Sequence, residues 1–361
     1  MSDILKIEPI YNWLKKNNWA IYNHQIETLK LSENGYDVLL VAPTGGGKTL
    51  AGFLPSLNDL INNKPKKNKL HTLYISPLKA LTIDVHRNLT SPIEDQGLDI
   101  RVETRTGDTS AYKKNRQKIL PPHMLMTTPE SLALLLSNKE SKDYFKDLKY
   151  LIIDEIHVLV NSKRGDLLSL NLSRIHSISP DCKRIGLSAT VKNKETVLKF
   201  LTSKDKAKIL NVKETSLPKI EILETKTRVP WSGHMASYAI KDIYQKIQKS
   251  SLTIVFVNTR AQAELVFNKL WQENDNNLRI AIHHGSLEKE IRRKVENLMS
   301  VGKIDCVVAT SSLDLGIDWG DVDLVVQIGS PKGISRFLQR IGRSNHKFDE
   351  PSNALLVPSN R

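Results

Sequence analysis

A lysine and a threonine behind three glycines, in APTGGGKT (Ala42 to Thr49), form a pattern suited to holding phosphate. Gly45, Gly46 and Gly47 let backbone N–H groups wrap an anion without Cβ clashes, and Thr44 lies in the same loop. Lys48 can bring charge to β and γ phosphates, and the Thr49 hydroxyl can ligate Mg²⁺. A second requirement of phosphoryl chemistry is a carboxylate, and LIIDEIH offers Asp154 and Glu155. Asp154 is placed to hold a metal through water, and Glu155 to orient and deprotonate an attacking water. Far downstream, QRIGRSNH puts Arg340 and Arg343 three residues apart, a spacing that can share one helix face. A lone DE pair or a lone arginine pair would read as ordinary surface; the combination is what points to chemistry.

These residues need elements to position them. The runs 37–43, 70–77, 123–129, 150–155 and 184–190 are short, apolar and β-rich, and helical stretches follow most of them. That alternation predicts a parallel sheet with helices on both faces and ligands at the carboxyl ends of the strands. A second series, 252–259, 278–285, 304–311, 322–329 and 354–359, repeats the architecture without repeating the sequence. Between them, residues 206–235 carry Lys, Pro, Gly and β-branched residues without a helical period, and read as a connection with a strand or two of its own. The expected organisation is therefore α/β, with domains over 1–205 and 236–361.

Length and composition agree. A chain of 361 residues is comfortable for two domains, and 40% apolar with 25% charged residues is ordinary for a globular protein. The formal net charge of +14 and the pI of about 9.5 attract polyanions, of which nucleic acid is the commonest. No apolar run approaches the ~18–20 residues of a membrane span, and the start lacks the layout of a signal peptide. Cys182 and Cys306 form no CxxC pattern, so neither a structural metal nor a disulfide framework is expected, and a reduced cytoplasm fits. His157, His283 and His284 lack further ligands at metal spacing. The five tryptophans could stack on bases, but packing is the safer reading for most of them.

DEIH, SAT (Ser188 to Thr190), QRIGR and the phosphate loop, in this order, resemble superfamily 2 helicases and translocases. The resemblance implies two tandem RecA-like domains with ATP between them. Arg340 and Arg343 would be arginine fingers that stabilise transition-state charge. Gln25 in YNHQIETL would read adenine, Gly316 and Asp318 would face the nucleotide, and His157, Ser188 and Thr190 would couple the nucleotide to the strand. SPLKAL, RTGD and TTPESL in the first domain, and NTR, HHGSL and TSSLDLGID in the second, match the motifs that meet the nucleic-acid backbone. By that match Lys79, Thr106, Gly107, Thr128, Arg260, Gly285, Thr310 and Ser311 form a phosphate track, sequence-independent in kind. Any single Thr or Gly among them is as readily explained as turn structure.

Longer stretches, among them APTGGGKTLAGFLPSL, SKRGDLL and TSSLDLGIDWGDVDLVVQIGSPKGISRFLQRIGRSNH, resemble the Lhr (large helicase-related) group, and within it the bacterial ligase-associated DEXH-box helicases. Motif VI ends SNH where many superfamily members carry a further glycine and arginine, a departure that suits this group. The resemblance implies an ATP- and Mg²⁺-dependent DNA helicase moving 3′ to 5′ on single-stranded DNA, acting in repair alongside an ATP-dependent DNA ligase and a nuclease-like protein. It also implies a winged-helix domain and a further domain beyond residue 361, so the chain is expected to be C-terminally truncated. An RNA helicase or RNP remodeller and a non-catalytic nucleic-acid-binding fragment are the competing expectations.

Overall fold

The computed structural model describes residues 8–16, 20–43, 45–63, 67–189, 191, 193–212, 217–225, 229, 231, 236–314, 322–331, 333–344 and 351–359. The chain divides into two compact units, one of residues 1–43 and 47–213 and one of residues 44–46 and 214–361.

The first unit is built on strands β1 (Asp37–Val41), β2 (Thr72–Ile75), β3 (Val102–Arg105), β4 (Met124–Thr127), β5 (Tyr150–Ile153), β6 (Lys183–Ser188) and β7 (Ala207–Asn211). They form one parallel sheet in the order β3-β4-β2-β5-β6-β1-β7. Parallel strands covered on both faces become continuous apolar runs, and DVLLV in β1 is buried throughout. The strand period of two then splits each run between two cores. Val38 and Leu40 join Tyr74, Met126, Ile152 and Ile185 on one face. Leu39 and Val41 join Leu73, Ile75, Leu125, Leu151 and Ile153 on the other.

The second unit repeats the plan with β8 (Lys219–Ile222), β9 (Thr253–Phe256), β10 (Ile280–His283), β11 (Cys306–Ala309), β12 (Leu324–Ile328) and β13 (Asn353–Val357). Its sheet is parallel, in the order β10-β11-β9-β12-β13-β8. Val255, Val308 and Val326 face one core, and Ile254, Val307 and Val325 the other. Helices thus cover both faces of both sheets, as the alternation predicts.

The segment expected as a connection is reassigned in part. β7 adds to the edge of the first sheet beside β1, and β8 adds to the edge of the second beside β13. The polar sequence KIEI reads as linker because all of β8 is solvent-exposed. The first sheet therefore runs past residue 205, and the second begins before residue 236.

Candidate functional site

The sheet order sorts the candidate residues. The phosphate loop follows β1, Asp154 and Glu155 follow β5, and Ser188 ends β6, which lies between those two strands. Each residue thus sits at the carboxyl edge of three adjacent strands, where ligands of open α/β sheets bind.

Gly45 and Gly47 turn the loop with φ of +77° and +64°, conformations that L side chains rarely adopt. A Cβ on Gly47 would also lie 2.5 Å from Gln25 Nε2. Gln25 is buried and holds the loop from below: its Nε2 donates to Gly47 O at 3.1 Å, and its Oε1 accepts from Tyr22 N at 2.9 Å. Lys48 opens the helix Lys48–Asn62, and its ammonium donates to Ala42 O at 2.9 Å and Pro43 O at 2.8 Å. Thr49 is half-buried in the first turn of that helix, and Gly46 is buried. The orphan N–H groups of the first helical turn favour an anion at this loop.

The acidic pair lies in low dielectric. Asp154 is 4% exposed; its Oδ2 accepts from Tyr74 OH at 2.6 Å and its Oδ1 from Glu155 N at 2.8 Å. Burial, and then the neighbouring Glu155 charge, raise the Asp154 carboxyl to about 6. Glu155 takes a left-handed backbone, φ 46°, uncommon for a residue with a side chain. Its Oε2 is buried without a hydrogen-bond partner. His157 Nδ1 stands 3.4 Å from that oxygen but accepts from Ala189 N, also at 3.4 Å. Burial first, and Lys48 second, pull His157 down to about 4, so the ring is neutral at pH 7. With its Nδ1 lone pair turned to Ala189 N–H, the ring satisfies no oxygen of Glu155 through that nitrogen. Ser188 is fully buried, and its hydroxyl donates to Ala189 O at 2.8 Å.

Tyr74 is a site residue that the sequence reading missed. It stands on β2 opposite Ile152, and its ring stacks on Phe53 of the phosphate-loop helix with centroids 5.2 Å apart. Burial, then the Asp154 charge, push its phenol upward, so it stays a donor. The available signal was a polar-tipped aromatic in an apolar strand that predicts as the neighbour of the acidic one.

Three further strands of the first sheet, β3-β4-β2, carry the proposed phosphate track. Lys79 opens the helix after β2 and donates to Asp108 Oδ1 at 2.9 Å, and a Cβ on Gly107 would lie 3.0 Å from its Nζ. Thr106 is buried, with its Oγ1 accepting from Asp108 N at 3.3 Å. Lys79, Thr106 and Gly107 are thus brought together. Thr128 is buried apart from them as N-cap of the helix Pro129–Leu136, accepting from Ser131 N. That cap accounts for Thr128 without any ligand.

In the second unit, β10-β11-β9 carry the corresponding residues. Arg260 opens the helix after β9, and a Cβ on Gly285 would lie 3.8 Å from its Nη2. Thr310 N donates to the His283 carbonyl at 3.3 Å, and the exposed Ser311 starts a 3₁₀ turn. The histidines beside them are held by side chains: His283 contacts Ser312 Oγ and Glu296, and His284 contacts Glu264.

Arg340 is 1% exposed, and its guanidinium is committed to partners within its own unit. Its Nε donates to Asp314 Oδ1 at 2.7 Å and its Nη1 to Gln327 Oε1 at 2.8 Å. Arg343, just beyond the helix Ile334–Ile341, is also buried. Thr44, Thr190, Gly316 and Asp318 lie outside the described residues.

Comparison with known proteins defines the class. Residues 22–197 match the DEAD/DEAH box helicase family, and residues 237–346 match the helicase conserved C-terminal domain. The chain belongs to the superfamily 2 helicases, with two RecA-like domains. Within that class it stands with the Lhr group. It is 37% identical to ATP-dependent helicase Lhr-Core protein 2 of Thermococcus barophilus, over 98% of this chain and 44% of that protein. It is 33% identical to the Lhr helicase/uracil glycosylase of Escherichia coli, over 93% of this chain and 26% of that protein. The structure of Mycobacterium smegmatis helicase Lhr bound to ssDNA and AMP-PNP superposes with a TM-score of 0.84 at 34% identity, covering 99% of this chain and 48% of that one. The chain thus spans less than half the length of these relatives.

Proposed function

We propose that this chain is the ATP-hydrolysing motor core of an Lhr-type DNA helicase, acting on single-stranded DNA in the cytoplasm. The observation that carries the reading is the acidic pair. Two buried carboxylates stand side by side, one raised to about 6 and the other with an oxygen that accepts no hydrogen bond from the described residues. Such a pair fits a cation and a water better than it fits a core.

Thr49 and Asp154 would hold Mg²⁺, whose chemistry is to neutralise charge on the phosphate oxygens. The N–H groups of residues 45–47 and the Lys48 ammonium bind the phosphates. The unsatisfied Glu155 Oε2 orients the attacking water and takes its proton. Tyr74 keeps Asp154 ionisable by donating to it. Ala189, bonded to His157, carries the state of this site to the end of β6. The finger role implied for the second unit falls to Arg343. DNA lies along Lys79, Thr106 and Gly107 in the first unit and Arg260, Gly285, Thr310 and Ser311 in the second. Movement 3′ to 5′, a role in repair, and work beside an ATP-dependent ligase and a nuclease-like protein follow from the family resemblance.

The test is steady-state ATP hydrolysis by the 361-residue chain with and without single-stranded DNA. Several-fold stimulation by DNA supports the reading. Stimulation by a matched RNA strand alone would move the substrate to RNA. Absent turnover with tight, salt-sensitive DNA binding would make the chain a binding module.

A further inference from the structure

We infer that Arg340 is a positioning residue: it ties the turn presenting Thr310 and Ser311 to the segment carrying Arg343, and does not itself reach the nucleotide. This rests on the motor reading above. Arg340 is among the largest side chains of the protein to be fully buried. Its guanidinium lies over the Phe256 ring, 4.7 Å from the centroid. Phe256 and Gln327 are register partners on β9 and β12, so the arginine is seated across the carboxyl edge of two neighbouring strands. Asp314, itself 4% exposed, takes Arg340 on one oxygen and Arg336 on the other, at 3.3 Å. Withdrawing Arg340 toward a phosphate would strip a buried carboxylate of its buried partner and leave it the half-exposed Arg336, a costly exchange.

Each partner leads to a candidate functional segment. Asp314 closes the 3₁₀ turn Ser311–Leu313, its N–H donating to Ser311 O at 3.3 Å. The Arg340 carbonyl accepts the Arg343 N–H at 3.0 Å. One residue therefore holds the end of the proposed strand-contact turn with its side chain and the proposed finger with its backbone. A strand that shifts the turn is felt at Arg343 through this link.

The experiment is a double-mutant cycle of Arg340→Gln and Asp314→Asn, with Arg340→Lys as the gentler change and Arg343→Gln as reference. ATP turnover is measured with and without single-stranded DNA, and amide hydrogen exchange of residues 310–314 without ligands. Arg343→Gln should lower turnover by ~10³ or more whether or not DNA is present, the size of a finger's contribution. Arg340→Gln, Arg340→Lys and Asp314→Asn should each cut the DNA stimulation by about five-fold or more. The double variant should be no worse than either single change, because both break one link. Exchange at 310–314 should quicken in all three. Arg340→Lys matching Arg343→Gln without DNA while Asp314→Asn behaves as wild type would overturn the inference, as would additive losses. If the wild-type chain shows no DNA stimulation, the motor reading fails by itself, and the exchange measurement still decides the link: unchanged exchange rejects it.

Discussion

The two halves of the first sheet use the same strand ends for opposite physics. On β5, β6 and β1 the polar groups are buried: Asp154, Glu155 and Ser188 lie at or below 9% exposure, and Asp154 and His157 are displaced from their ordinary values by burial. On β3, β4 and β2 the working charge is wet: the Lys79 side chain is 50% exposed and its Asp108 partner 40%. Charge development in a transition state is stabilised most where water is excluded and donors are fixed. A strand that must slide needs contacts that are individually weak and screened. On the roles proposed above, the fold gives the ends of β5, β6 and β1 to the first demand and those of β3 and β2 to the second.

The deepest break in that contrast is on the buried side. Glu155→Gln keeps the shape and removes the proton acceptor, so turnover should fall by ~10²–10⁴, the usual range for a general base, with an unchanged melting profile. Turnover retained in that variant would take Glu155 out of the mechanism. Tyr74→Phe is the subtler break. The ring and its stacking on Phe53 survive, and Asp154 loses a donor. The lost bond to a charged group should cost roughly ten-fold in turnover. Tyr74 lowers the Asp154 carboxyl against the upward push of burial, so its removal raises that carboxyl further above about 6. Turnover needs Asp154 ionised, so the acid limb of the pH–rate profile should move to higher pH. Stability has the opposite sign. A carboxyl raised in the fold from its ordinary 3.8 favours the fold fully below that value, and the contribution is lost as pH rises through about 6. An acid limb unmoved in Tyr74→Phe would mean that another group sets it.

How much of this was legible in the sequence follows the same line between buried and exposed. The ten strands read as apolar runs are all present, because double-sided burial writes itself as unbroken Val, Leu and Ile. The strand missed outright, β3, and the two left unplaced within residues 206–235, β7 and β8, are all at sheet edges, where VETR is short and half polar and AKILN and KIEI carry exposed lysines. The fourth edge, β10, was legible because it keeps Ile280 and Ile282. At the site, spacing located the glycines, Lys48 and the acidic pair, since local chain geometry fixes them. The Tyr74–Asp154 and Asp314–Arg340 bonds were not legible as pairs, because they join positions 80 and 26 residues apart that only the sheet order brings together. Motif VI shows the limit best: the arginine spacing is the same whether a guanidinium faces a phosphate or its own core.

The smallest effects belong to the wet side and sharpen the comparison. Lys79→Ala should weaken binding to single-stranded DNA by a few-fold for all sequences alike. The log–log salt dependence should become shallower by about 0.7, the loss of one phosphate contact. Asp108→Asn should tighten binding, since Asp108 competes with phosphate for the Lys79 ammonium; unchanged affinity in both variants would remove this pair from the track. Gly107→Ala tests whether the glycine is there for the backbone or for a ligand. Its Cβ would meet only the far end of Lys79, at 3.0 Å from Nζ, and a flexible ammonium can step aside. Stability should therefore change by less than ~0.5 kcal/mol, as at ordinary surface positions. Gly47→Ala differs because both its φ of +64° and the Gln25 carboxamide oppose a side chain. If Gly107→Ala still weakens DNA binding while the fold and the lysine are intact, the phosphate passes close over that backbone, and the lost affinity measures how close.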